Sequence, residues 1–195
     1  MCITSIIKNK KIIIAVCGGI AAYKSVELVR LFIKQGAQIQ VLMTPAATEF
    51  VTPLSFQALS GRPVRSDLFD RDAEAAMGHI ELARWADLIV IAPATANSMA
   101  KIAHGMADNL LTTLCLATDS ALIIAPAMNQ KMWRNAATQT NIELLSRRKN
   151  IYFCGPAEGE QACGDIGAGR MTEPEALFDY CAAHLAIAEN GKLSG

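Results

Sequence analysis

The chain has 195 residues, of which 52% are hydrophobic and 18% charged, and its 18 basic and 18 acidic side chains cancel at pH 7. This composition excludes a largely disordered chain and disfavours a nucleic-acid or anionic-membrane binder. Six cysteines without a leader sequence or a close C-x-x-C pair disfavour a disulfide scaffold and a structural zinc site. We expect one cytoplasmic domain over residues 1–188, with residues 189–195 as a tail or the start of a linker.

Predicted strands and helices alternate along the chain. Short β-branched runs predict buried strands at residues 12–17, 39–43, 88–92, 122–125 and 151–154. Amphipathic stretches predict helices at residues 21–35, 96–103, 110–117, 132–148 and 173–188. This alternation is typical of an α/β protein with a doubly wound parallel sheet in a single Rossmann-type domain. Ligands bind such sheets beyond the carboxyl ends of the strands, so we expect the chemistry in the loops that follow them.

Gly18 and Gly19 follow the first predicted strand and open a helix. Backbone amides and a helix N-terminus at this place suit an anion such as phosphate, although a tight turn would use the same glycines. The dinucleotide fingerprint G-x-G-x-x-G is absent, and Thr44 stands where a ribose-binding acidic residue would follow the second strand. The sequence therefore favours a phosphate ligand and disfavours NAD.

Two further strand-end loops carry polar side chains. Thr95, Asn97 and Ser98 could bind a phosphate or the edge of a planar ring, and they could equally form a helix N-cap cluster. Asn129 follows another strand and is followed by Met132 and Trp133. On spacing alone, helix capping by Asn129 and packing by the other two are favoured over ligand binding.

A thiol and an imidazole are the reactive candidates. Cys163 lies in the glycine-rich segment 155–171, for which we expect no regular structure; a mobile lid with a reactive thiol and a simple linker both remain open. Cys17, Cys115 and Cys181 fall in apolar patterns and are expected in the core. His79 should begin or cap the helix that leads to Trp85, and it is the best acid–base candidate, although a lone histidine is more often structural.

Five motifs together resemble the homo-oligomeric flavin-containing cysteine decarboxylases. They occur in the order G-G-I-A-A-Y-K, M-G-H-I-E-L, A-P-A-T-A-N-S, P-A-M-N-x-x-M-W and A-C-G-D-x-G-x-G-R-M, and the resemblance covers residues 10–185. It implies a flavodoxin-like fold, bound FMN, and trimers or multiples of trimers with flavin and substrate at subunit contacts. It is strongest with the branch that converts phosphopantothenoylcysteine to phosphopantetheine in coenzyme A biosynthesis, which implies a carboxy-lyase.

The resemblance also implies roles for individual residues. His79, Asn129 and Cys163 would be catalytic, and Asn129, Met132, Ala162 and Gly167 would contact substrate. FMN would be held by Gly18, Gly19, Ile20, Thr44, Thr95, Ala96, Asn97, Ser98 and Ala127, and no metal is implied. Oxidation of the substrate thiol to a thioaldehyde would supply the electron sink for loss of carbon dioxide. Cys163 would then protonate the resulting enethiolate.

Several alternatives stay open. The bifunctional members of the family continue into a synthetase domain, whereas this chain ends at Gly195, so we expect a stand-alone decarboxylase or an isolated half that has a synthetase partner. Residues 159–161 lie where the family varies, which leaves the substrate clamp open. A peptidyl-cysteine decarboxylase, a flavin prenyltransferase and a non-catalytic flavin-binding regulatory subunit are the competing functions.

Overall fold

A computed structural model describes residues 6–68, 78–162 and 164–192, with no side chains described for residues 190–192. The main sheet contains β1 (Lys11–Val16), β2 (Gln38–Met43), β3 (Leu88–Ala94), β4 (Ala121–Pro126) and β5 (Ile151–Phe153). A second sheet contains β6 (Ala157–Glu160) and β7 (Ile166–Arg170). The helices are α1 (Ala22–Lys34), α2 (Pro53–Ser60), α3 (His79–Trp85), α4 (Ala96–Ala103), α5 (Leu110–Ala117), α6 (Gln130–Arg134), α7 (Ala136–Ser146) and α8 (Pro174–Lys192), and a 3-10 helix spans Pro45–Glu49.

The five strands of the main sheet are all parallel and run in the order β2-β1-β3-β4-β5. This is the flavodoxin-like order, so the predicted fold class is confirmed. The order reverses between β1 and β3, because β2 lies on one side of β1 and the rest of the sheet on the other. Their strand-end loops diverge there, which opens a crevice at the carboxyl edge.

Apolar side chains cover both faces of the sheet, as expected for parallel strands. Ile12 and Ile14 of β1 pack with α1 and α8 on one face, while Ile13 packs with α3, α4, α5 and α7 on the other. The predicted core thiols Cys17, Cys115 and Cys181 are all buried. The hydrophobic effect therefore holds one layer of helices on each side of the sheet.

The structure differs from the sequence predictions at residues 132–148, at residues 155–171 and after residue 188. The single helix predicted at residues 132–148 is two helices, because Asn135 adopts an extended backbone and its side chain accepts a hydrogen bond from the N–H of Ala137 at the start of α7. The prediction of irregular structure at residues 155–171 was wrong, since β6 and β7 form an antiparallel hairpin. Helix α8 continues to Lys192, past the domain end predicted at residue 188; the domain division itself stays a prediction.

Among the helices of the described residues, none is both long enough and apolar enough to cross a membrane.

Candidate active site

A cavity of about 1010 Å³ lies at the carboxyl ends of β1, β2, β3 and β4. It occupies the crevice where the strand order reverses, which is where open α/β sheets bind their ligands. The β6–β7 hairpin forms a further wall. Twelve of the residues implied by the family resemblance line this cavity: Gly18, Gly19, Ile20, Thr44, Thr95, Ala96, Asn97, Ser98, Ala127, Asn129, Met132 and Ala162.

The two glycines after β1 have different roles. A Cβ at Gly18 would fall within 3.0 Å of Ala46, so glycine allows the 3-10 helix after β2 to approach. A Cβ at Gly19 would meet only the Thr95 methyl group, at 4.0 Å. Packing within the chain therefore does not require glycine at position 19. The absence of a side chain there leaves room beside the N-terminus of α1, where an anion is favoured.

The loop after β3 caps a helix and also lines the cavity. The Thr95 hydroxyl oxygen accepts a hydrogen bond from the backbone N–H of Ser98 at 3.2 Å, which makes Thr95 the N-cap of α4. Asn97 is exposed and lines the cavity, so its amide can face a ligand. Behind this loop, burial raises the pKa of the Cys17 thiol, although hydrogen bonds involving Ser98 and Thr95 oppose the shift. Cys17 is therefore a core thiol and not a cavity nucleophile.

Asn129 is held firmly in the loop after β4. Its Oδ1 accepts a hydrogen bond from the N–H of Lys131 at 2.8 Å, which confirms the capping interpretation. Its Nδ2 donates to Oδ2 of Asp165 at 2.8 Å, which joins the loop to the tip of the hairpin. The side chain of Met132, half of which is exposed, also lines the cavity. The amide and the thioether therefore belong to the same wall.

The hairpin lies directly against this loop. The N–H of Met128 donates to the carbonyl oxygen of Gly169 at 2.9 Å, and a Cβ on Gly169 would fall within 3.0 Å of the Met128 oxygen. Gly167, an implied substrate residue, faces the side chain of Gln130 and does not line the cavity. Glycine on β7 thus permits a backbone approach that any side chain would obstruct.

A buried cation borders the cavity, and it was not predicted from the sequence as a site residue. Lys24 of α1 is only 8% exposed, and its Nζ donates to Oε1 of Glu173 at 2.6 Å and to the Met171 carbonyl oxygen at 3.3 Å. Arg170 donates to the same carboxylate oxygen at 3.0 Å. These contacts join the glycine loop to the end of β7. Lys24 is the last residue of the G-G-I-A-A-Y-K motif. Its place in this motif is the sequence signal that could have identified it as a site residue.

Of the implied catalytic residues, one lies away from this cavity and one lies outside the described residues. His79 begins α3 after the N-cap Gly78, as predicted, and is half-buried, but it does not line the cavity of its own chain. Cys163 lies outside the described residues; its neighbours Ala162 and Gly164 are in the hairpin tip. Within the described ranges, no three His, Cys, Asp or Glu side chains are grouped in a way that could hold a metal ion.

The chain is similar to proteins of known family. The family model described as Flavoprotein matches residues 4–186. The coenzyme A biosynthesis bifunctional protein CoaBC of Vibrio parahaemolyticus is 60% identical over 174 residues, which cover 89% of this chain and 43% of that protein. The chain thus spans less than half the length of the curated relatives it matches.

Two solved structures are similar to this chain in both fold and sequence. A cysteine-to-serine mutant of PPC decarboxylase, complexed with pantothenoylaminoethenethiol, superposes with a TM-score of 0.79 at 33% identity and covers 91% of this chain and 98% of its own. The FMN-binding protein AtHal3 superposes with a TM-score of 0.77 at 33% identity, covering 91% and 97%.

Proposed function

The chain belongs to the flavoprotein family, and from this premise we propose that it catalyses FMN-dependent decarboxylation of phosphopantothenoylcysteine to phosphopantetheine in coenzyme A biosynthesis. The observation that carries the proposal is one cavity, at the β1–β3 switch point, lined both by the glycine loop and by Asn129. The 60% identity to a coenzyme A biosynthesis protein supports this substrate over a peptidyl cysteine.

The residues of the cavity fit FMN. The N-termini of α1 and α4 both open on the cavity, and a phosphate is favoured at such ends. Flavodoxin-like proteins bind FMN at the β1–β3 switch point. The residues that would hold it are Gly18, Gly19, Ile20, Thr44, Thr95, Ala96, Asn97, Ser98 and Ala127. FMN, when bound, would accept two electrons from the CH₂–SH group of the substrate and return them as hydride to the decarboxylated product, so that the overall reaction is redox-neutral.

The remaining side chains bind the substrate and handle its protons. We assign Asn129 to hydrogen bonding of the substrate carboxylate, with Met132 and Ala162 packing beside it and Gly167 supporting the loop. Cys163 donates a proton to the enethiolate carbon after carbon dioxide has left. His79 orients the carboxylate and assists proton transfer.

His79 requires a second subunit in this scheme, because it does not line the cavity of its own chain. We therefore propose a homo-oligomer, a trimer or a multiple of trimers, in which one copy supplies His79 to the cavity of the next. Ile20 and Tyr23, 63% and 60% exposed at the cavity border, are apolar surface suited to such a contact. A cytoplasmic location and a synthetase partner belong to the same proposal.

Turnover with defined variants tests the function. The protein, loaded with FMN, should release carbon dioxide from phosphopantothenoylcysteine and leave a peptide ending in cysteine unchanged. Cys163→Ser should still release carbon dioxide but accumulate a product two hydrogens lighter than phosphopantetheine, because the protonation step is missing. His79→Asn should block carbon dioxide release.

Mass spectrometry of products and released gas measures these outcomes. Preferential turnover of the peptide would establish the peptidyl-cysteine alternative. Flavin binding without turnover of either substrate would establish the non-catalytic alternative. Equal loss of carbon dioxide release in both variants would contradict the division of roles.

A further inference from the structure

The side-chain amide of Asn129 has a defined orientation. Lys131 donates its backbone N–H to Oδ1, and Asp165 accepts a hydrogen bond from Nδ2, each at 2.8 Å. A flipped amide would place its nitrogen against the Lys131 N–H and its oxygen against the Asp165 carboxylate, and both hydrogen bonds would be lost. The Asp165 carboxylate and the Lys131 N–H therefore together determine which end of the amide is the nitrogen.

Asp165 lies in the hairpin tip, and this tip makes further hydrogen bonds to the loop that carries Asn129. Oε1 of Gln161 accepts a hydrogen bond from the N–H of Gln130 at 3.0 Å. The N–H of Gln161 donates to the carbonyl oxygen of Asp165 at 2.8 Å, so these two residues close the tip together. The Met128–Gly169 backbone hydrogen bond lies at the base of this contact.

We propose that Asp165 is a positioning residue for decarboxylation. Its carboxylate holds the Asn129 amide with its nitrogen on the hairpin side, and it holds the hairpin against the loop after β4. The proposal rests on the proposed function, in which Asn129 binds the substrate carboxylate; a carboxylate requires N–H donors and would be repelled by the amide oxygen. Asp165 acts through Asn129.

Amide hydrogen exchange without substrate provides the first test. Asp165→Leu removes the acceptor at similar side-chain size, so the N–H groups of Met128, Gln130 and Lys131 should exchange about tenfold faster, as expected for loss of a hydrogen bond to a charged group. Asp165→Asn keeps an oxygen acceptor and should give an intermediate increase. Glu158→Gln, an exposed carboxylate on the same hairpin, is the matched control and should exchange like the wild type.

Steady-state kinetics provides the second test. Asp165→Leu should raise KM about tenfold or more and retain most of its FMN content, because every implied FMN residue except Ala127 lies on the loops after β1, β2 and β3. In the double variant Asn129→Asp with Asp165→Asn, the hydrogen bond can form again with donor and acceptor exchanged. Slow exchange should return in this variant, but turnover should not, since position 129 no longer carries an N–H donor. Asn129→Asp alone should exchange fast because two carboxylates face each other.

The outcomes separate this proposal from the proposed function. Wild-type exchange in Asp165→Leu, or faster exchange with unchanged kcat/KM, would overturn the positioning role. Recovery of turnover in the double variant would overturn the claim that amide orientation matters. Absence of turnover in the wild type would overturn the proposed function, and the exchange data would then still decide whether Asp165 holds the hairpin.

Discussion

At the scale of single residues, Lys24 and Glu173 join the first helix to the end of the hairpin. Lysine is seldom buried unless it is paired, and Lys24 is paired with a carboxylate that is itself largely exposed. The hydrogen bond from Lys24 lowers the pKa of Glu173, with Arg170 contributing in the same direction. This interaction stabilises the folded state above the ordinary Glu173 pKa of 4.5 and is lost as the pH falls through the lowered value.

Replacement of Glu173 by glutamine tests this pair. We expect the free energy of unfolding at pH 7 to fall by about 1 kcal/mol, because solvent screens the exposed carboxylate. The difference from the wild type should be smaller at about pH 3 than at pH 7, because the wild-type carboxyl becomes protonated as the pH falls below 4.5 and through the lowered pKa. Urea unfolding at both pH values measures this difference in the free energy of unfolding. Asp179→Asn, an exposed carboxylate on α8, which begins directly after Glu173, is the control. A difference that is constant with pH would contradict the electrostatic explanation.

At the scale of elements, the hairpin is the part of the site most dependent on close backbone contact. Gly169→Ala places a Cβ within 3.0 Å of the Met128 oxygen and Gln161 Nε2, so β7 must move away from the loop. We expect kcat/KM to fall at least about tenfold, because small displacements in a site have large kinetic effects. The melting temperature should also fall, because Gly169 has a φ of +152°, which residues with a Cβ rarely adopt, so a second glycine with positive φ serves as the reference for strain.

Gly61→Ala is the matched control for this glycine. Gly61 has a φ of +66°, and a Cβ there would meet nothing within 4 Å. Its substitution should cost roughly 1–2 kcal/mol of stability through backbone strain alone and leave kcat/KM unchanged. Equal kinetic losses in the two variants, measured beside their melting temperatures, would contradict the role of hairpin contact.

At the scale of the whole molecule, the cavity proposed to bind FMN lies between loops that are held by two core layers. A ligand that binds only the folded state stabilises it, by about 2.7 kcal/mol when its concentration is 100 times Kd. Removal of FMN should therefore lower the melting temperature by about 5–10 °C for a domain of this size. Differential scanning calorimetry with and without added FMN measures the shift, and NAD is the control. A melting temperature that does not respond to FMN would contradict the cavity assignment.

Local pattern determined most of the fold. Each buried parallel strand appears in the sequence as a short apolar run. The predicted strands overlap all five strands of the main sheet. Helices α4 and α5 begin and end at the predicted residues, because apolar periodicity and capping residues act within a few positions. The glycine, Thr95 and Asn129 loops follow strands, and the carboxyl ends of parallel strands meet at one edge. The sequence by itself therefore placed the glycine loop, Thr95 and Asn129 at one edge of the sheet, and their roles in binding stay predictions.

The hairpin and the polar contacts that close the site were decided only by tertiary structure. Residues 157–170 lack an apolar alternation, because glycine on β7 serves contact with another loop and leaves no side-chain pattern. Asn129 and Asp165 are 36 residues apart, and Lys24 and Glu173 are 149 apart. No local propensity encodes a hydrogen bond over such distances in sequence. Its energy exists only after the sheet has brought both loops to the same edge, where partial burial strengthens the contact.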